Sequence, residues 1–382
     1  MRETKTLVGV AIANLMWTCA ASAFAEEAPH DESKWFRSVR QLTTREMGLD
    51  RSGEAYFSPD GRMVCFQAYP AGKSEYQIYV INVDGSGLKM ISTGEGATTC
   101  SYFHPDGKRV IFASNHLDQR PATPPADASG AKQSGSSAAP PAPTHGAPPP
   151  ATQPTHGSGG GPPAAVRGPS YAWSYFPGMD IFEYTLATGQ LRRLTDADGY
   201  DAECAYSPDG AWIVFSSLRT GAQEIFIMDA DGGRVRQITN KGGQNGGPFF
   251  SPDGKRVVYR SDRVGDGNLQ IFVNNVEGTD EKAITGHDVL HWCPFWHPSG
   301  KWLIYTRADH SGPGRPNYDL YLVRDDGSEQ HRVTSDPGFD GLPVFSADGR
   351  YLMWTSRRGG IDSPQVFIAD FVGLTPEGEL RR

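Results

Sequence analysis

The stretch FFSPDGKRVVY, Phe249 to Tyr259, decides the fold, because versions of it recur along the chain. They are YFSPDGRMVCF from Tyr56, YFHPDGKRVIF from Tyr102, AYSPDGAWIVF from Ala205, FWHPSGKWLIY from Phe295 and VFSADGRYLMW from Val344. Pro59, Pro105, Pro208, Pro252 and Pro298 mark the register, with Ala347 as the sixth equivalent, at spacings of 46, 103, 44, 46 and 49 residues. One unit is therefore about 45 residues long, and the second carries an insertion. Each Pro-Asp-Gly is a turn with a mechanism: proline presets φ, aspartate bonds locally and glycine takes positive φ.

Each unit reads as four strands. An apolar run leads into the turn, and an alternating strand such as Val257 to Tyr259 leaves it. A third strand follows, such as EIFIMDA from Glu224, then a Gly-rich hairpin and a fourth strand ending in a threonine-type signature. The endings are MIS at Met90, RLT at Arg193, QIT at Gln237, AIT at Ala283 and RVT at Arg332. The missing sixth ending stands near the N-terminus as RQLT, Arg40 to Thr43, while the last unit stops at its third strand, Gln365 to Phe371. The two ends complement each other, which predicts an all-β, six-bladed propeller closed by an N-terminal strand. The expected propeller covers 35–371, with blades at about 45–92, 93–195, 196–239, 240–285, 286–334 and 335–371 plus 36–43.

Two segments stand apart from this pattern. Residues 1–25 read as a signal peptide: Arg2 and Lys5, an apolar run from Leu7, and Ala23-Phe24-Ala25 before a cleavage site. A periplasmic or secreted protein is expected, with no membrane span. Residues 117–171 are rich in Pro, Gly, Ala and Ser and are expected to be a disordered insert within blade two. The formal net charge of −8 disfavours nucleic acid or anionic lipid as the main partner. Cys65, Cys100, Cys204 and Cys293 are too few for a disulfide framework and read as buried thiols.

The Ser-Pro-Asp-Gly repeat with its following strand resembles the WD40-like repeat of TolB-type periplasmic propellers, over nearly all of Trp35 to Phe371 outside the insert. TTCSYFHPDGKRVIFASNH from Thr98, HWCPFWHPSGKWLIYT from His291 and FDGLPVFSADGRYLMWTSRR from Phe339 resemble a bacterial subgroup of these propellers. In that subgroup the propeller sometimes precedes a zinc aminopeptidase domain, which is not expected in this chain. Nor is the α/β domain that precedes the propeller in TolB itself, so the resemblance does not imply a Tol–Pal role.

Strand direction alternates within a blade, so the fourth-to-first and second-to-third loops share one face, here the top. Seven residues before each register position stand Ser52, Thr98, Asp201, Asn245, His291 and Asp340. Five before it stand Glu54, Cys100, Glu203, Gly247, Cys293 and Leu342. The innermost strands start at the top and frame the channel mouth, so both sets are expected there. The expected ligand-binding residues are Asp201, Glu203, Asn245, His287, His291 and Asp340, rimmed by Arg219, Arg263 and Arg357. His287, His291 and Cys293 are also a candidate Zn²⁺ set, and Asp196, Asp198, Asp201 and Glu203 a candidate Ca²⁺ set, though neither has a recognised spacing. No cofactor and no catalytic residue is assigned. The sequence lacks Gly-x-Ser-x-Gly, His-Glu-x-x-His and a phosphate-binding glycine loop. The expectation is a monomeric binding or scaffold module for a protein, peptide or envelope glycan. The alternative is a glycan lyase or hydrolase using His and carboxylate groups at the mouth.

Overall fold

The computed structural model describes residues 31–118, 175–312 and 316–381. The expected signal peptide and all but the first two residues of the expected insert lie outside the described residues. From Asp31 onward the strands form six four-stranded antiparallel sheets. Helical elements among the described residues are limited to three short 3₁₀ turns. Blade three shows the pattern, from inner to outer strand: Asp201–Tyr206, Trp212–Ser217, Glu224–Asp229 and Arg236–Gln237. The innermost strands of the six blades are Leu49–Phe57, Thr98–Phe103, Asp201–Tyr206, Asn245–Phe250, Leu290–Trp296 and Asp340–Phe345. Each contacts the next in chain order, and the sixth returns to the first, so the ring is closed.

Closure follows the arrangement that the sequence predicts. Phe36–Gln41 pairs with Gln365–Phe371 as the outer strand of blade six, with Phe36 opposite Phe371 and Gln41 opposite Phe367. The threonine signature acquires a physical reason here. The hydroxyls of Ser92, Thr195, Thr239, Thr285 and Thr334 accept the backbone N–H of Ile78, Ile181, Ile225, Ile271 and Leu320, at 2.8–3.0 Å. Each therefore caps the third strand of its blade where the fourth strand ends. Thr43 does the same for Val366 at 2.9 Å, across the joint between the two ends of the chain.

The core lies between the blades. Phe66, Phe112, Phe215, Tyr259, Tyr305 and Trp354 occupy one equivalent position in the six second strands, and all are fully buried. Burying such a ring contributes roughly 2–3 kcal/mol. Outside blade six the fourth strands are only two or three residues long and each carries a basic residue, as at Lys89–Met90, Arg236–Gln237 and Lys282–Ala283, which guards the outer edges against pairing with other chains. The turns of the bottom face use their own polar groups. In blade three the Ser207 hydroxyl donates to Asp209 at 2.6 Å and accepts the Trp212 N–H at 3.0 Å. Beyond Phe371 the chain folds back on blade five, where the Trp302 indole donates to the Gly378 carbonyl at 2.8 Å.

Candidate functional site

The pairing of every innermost strand slips by one residue at the same place, between Gly53 and Ala55 in blade one and between Ala202 and Ala205 in blade three, for example. The residue that accommodates each bulge has a left-handed backbone: Glu54 (φ 47°), Cys100 (56°), Glu203 (54°), Gly247 (59°), Cys293 (50°) and Leu342 (57°). This conformation is costly for any residue but glycine, and its presence in every blade marks a constraint on the whole ring. The displaced N–H groups find partners on the preceding blade. Glu54 donates to Thr355 Oγ1 (3.1 Å), Cys100 to Gln67 Oε1 (3.3 Å), Gly247 to Glu203 Oε2 (2.7 Å) and Leu342 to Thr306 Oγ1 (3.2 Å). Close approach explains Gly53 as well, since a Cβ there would lie 2.7 Å from Thr355 Oγ1.

All six bulge residues line one recess on the axis. Two positions further along the strands, Tyr56, Phe249 and Phe295 form its floor together with Val344. The rings of Tyr56 and Phe249 are 5.6 Å apart, and those of Phe249 and Phe295 are 5.0 Å apart in an edge-to-face contact. The recess has these rings on its downstream side along each strand. It spans about 570 Å³ including its open mouth, of which about 50 Å³ is space that the centre of a water molecule can reach. At roughly 10–15 Å³ per water, that holds about four waters, or one narrow group.

Two acidic side chains and one basic side chain line the recess. Glu203 and Arg260 form a buried pair, with Nη2 to Oε1 at 2.7 Å and Nη1 to Oε2 at 3.3 Å. Ser216 also donates to Glu203, at 2.8 Å. Burial pushes the Glu54 carboxyl up to about 7, aided by the nearby Glu203 charge and opposed by hydrogen bonds from Cys100 and Tyr56 and by Arg260. Burial also raises the Cys100 and Cys293 thiols well above their ordinary range, so they stay protonated and unreactive at neutral pH. All four described cysteines are free.

Of the nine residues expected at the mouth, Glu203 alone lines this recess. Asp201 is 1 % exposed and binds Ser217 (2.5 Å) and Arg219 (2.8 Å) of its own blade. Asp340 is fully buried and accepts from Ser356 (2.5 Å), Trp354 Nε1 (2.9 Å) and Arg358 (2.8 Å). Asn245, also fully buried, accepts from Arg263 at 3.0 Å. Arg219 and Arg263 do not rim a funnel: they lie over Phe226 (5.2 Å) and Phe272 (4.2 Å), on the third strands of their blades. The backbone N–H of Arg357 donates to Phe339 O at 2.8 Å, and its buried Nε has no hydrogen-bond partner among the described residues. The physical reason for this placement is the bulge. One inserted residue breaks the period of two, so positions seven and five before the register proline no longer face the same way.

His287 is exposed and lies 3.3 Å from Asp266, whereas His291 is buried against Tyr305 and burial lowers its imidazole to about 4. With Cys293 on the axis, the expected zinc set is not gathered. Of the expected calcium set, Asp201 and Glu203 are already engaged by arginines. Among the described residues no three His, Cys, Asp or Glu side chains converge to hold a metal. Glu54 stood among the bulge positions in the sequence without being singled out, and Arg260 was missed altogether. Local signals did exist for the buried pairs: Asp201 and Arg219, Asn245 and Arg263, and Asp340 and Arg358 are each 18 residues apart.

A family model described as the TolB beta propeller domain matches residues 172–313. The chain is similar to the Tol-Pal system protein TolB of Wolinella succinogenes, at 26% identity over 190 residues, covering 50% of this chain and 44% of that protein. It is also similar to a TolB homolog of Chlorobium luteolum, at 50% identity over 52 residues, covering 14% of this chain and 12% of that one. The chain thus spans less than half the length of these curated relatives. Among solved structures, that of a putative TolB from Agrobacterium tumefaciens has a similar fold, with a TM-score of 0.53 at 18% identity over 84% of this chain and 90% of that one. Six sheets closed through the N-terminal strand, together with these matches, make the chain a TolB-like β-propeller.

Proposed function

We propose that this propeller is an exported binding or scaffold module, periplasmic or secreted, that engages a partner through its top face. The observation that carries the reading is the axial recess, to which all six blades contribute and whose aromatic floor lies downstream of the bulges on each strand. The aspartates of the bottom turns are instead used within the turns, as at Asp60 and Asp209. Of the three expected ligand classes, room for about four waters favours a protein or peptide that presents one narrow group over an envelope glycan. The alternative of a lyase or hydrolase draws support from Glu54 and Glu203 sharing the recess. A sugar ring displaces more than the available space, which weighs against chemistry there.

Filling the recess tests the reading. Cys293→Phe should abolish capture of the partner from envelope extract without lowering the melting temperature by more than a few degrees. Asp231→Ala, in a bottom hairpin, should leave capture intact. The opposite pattern would move the binding site to the bottom face and end the proposal.

A further inference from the structure

We propose that the recess is a receptor for a primary ammonium group, carried on a lysine side chain or at the free N-terminus of the partner. This deepens the top-face reading and rests on it. Two carboxylates and one guanidinium line the recess, and Arg260 is held by Glu203 through both of its Nη atoms. Among the described residues Glu54 forms no ion pair. Its surroundings are the Cys100 thiol, the Tyr56 hydroxyl, Glu203 and Arg260. A cation entering the recess would therefore meet one carboxylate still to be compensated, whereas an anion would meet two acidic groups.

Shape and surface narrow the cation. The walls and floor include Tyr56, Phe249, Phe295 and Trp292, whose ring faces attract a desolvated cation. An ammonium on a methylene stem fits a space of about four waters and brings a compact point charge to a single carboxylate, whereas the planar fork of a guanidinium suits bidentate contacts. A bare metal ion is poorly served here, because among the described residues no three His, Cys, Asp or Glu side chains converge to hold one. The site is also fixed before binding. The Glu54 backbone is set by its bulge, its N–H is tied to Thr355, and the rings of the floor brace one another. Burial makes the Glu54 anion unfavourable when the recess is empty, and an ammonium would relieve that cost.

Three small probes test the proposal on the full chain: Nα-acetyl-lysine methylamide for the side chain, glycine methylamide for the chain terminus, and Nα,Nε-diacetyl-lysine methylamide as the neutral control. The readout is ¹H–¹⁵N shift perturbation of the Gly247, Cys293 and Leu342 amides, which line the recess. At least one cationic probe should shift these amides in a saturable way while the neutral probe does not, and the stronger of the two identifies the source of the amine. Glu54→Gln should weaken that binding about tenfold, the loss of one charge-assisted contact. Equal shifts from the neutral probe, no saturable shift from either amine, or unchanged affinity in Glu54→Gln would each overturn the proposal. If the probes fail while Cys293→Phe still abolishes partner capture, the ammonium assignment falls and the top-face reading stands.

Discussion

Asp340 is fully buried, yet its carboxylate carries three hydrogen bonds, from Ser356, Trp354 and Arg358. Arg358 in turn reaches Glu32 at 3.0 Å and lies over the Trp354 ring at 5.1 Å. Burial raises the Asp340 carboxyl, and the Arg358 guanidinium opposes that rise. Removing such a group strands its partners, so Asp340→Ala should lower stability by about 3 kcal/mol in denaturant unfolding. A loss below about 1 kcal/mol would instead suit a solvent-facing residue. Glu54 behaves differently, because its carboxyl is raised from 4.5 to about 7 in the folded protein. The folded state keeps a proton that the unfolded chain releases, so this contribution to stability is present below pH 4.5 and is lost as pH rises through 7. Glu54→Gln does not titrate. It should be more stable than the parent at pH 8, by up to about 3 kcal/mol, with the advantage vanishing near pH 4.5. A gap that does not change with pH would rule this out.

At the scale of the element, the sixth blade shows how much one strand can carry. Phe36–Gln41 covers the edge of Gln365–Phe371, and Trp35, Phe36 and Leu374 belong to the same buried cluster as Trp302 and Trp354. The Thr43 hydroxyl also bonds Ser52 of blade one (2.5 Å) and Gln365 (2.9 Å), so the closing strand ties blade six to blade one. Deleting residues 31–43 should therefore lower the melting temperature of the whole ring in one cooperative transition, read by calorimetry. An unchanged midpoint would mean that the strand is an accessory to a ring already closed. This assignment was legible in the sequence, because the Thr43 ending is the one that the five internal endings leave missing. The segment after Phe371 has no repeat to announce it, and its packing on Trp302 emerged only from the structure.

Across the whole molecule, the recess belongs to no blade, since each adds one bulge residue and the space exists only where six of them meet. By itself the sequence determined the number of blades, the chemistry of the bottom turns, the threonine caps and the strand that closes the ring. All of these rest on short-range rules of turn and strand pairing, repeated about every 45 residues. The tertiary structure alone decided which polar side chains face the axis. A left-handed residue in each inner strand breaks its period of two, with Asp201 and Asp340 bonded within their own blades, Asn245 bonded between blades three and four, and Glu54 and Glu203 sharing the recess. It also decided which carboxylate keeps a charge to be matched, because Arg260 reaches Glu203 from the neighbouring blade, 57 residues away in sequence, and leaves Glu54 beside them. Contacts across an axis depend on how sheets are set around it, and no local pattern in the chain encodes that.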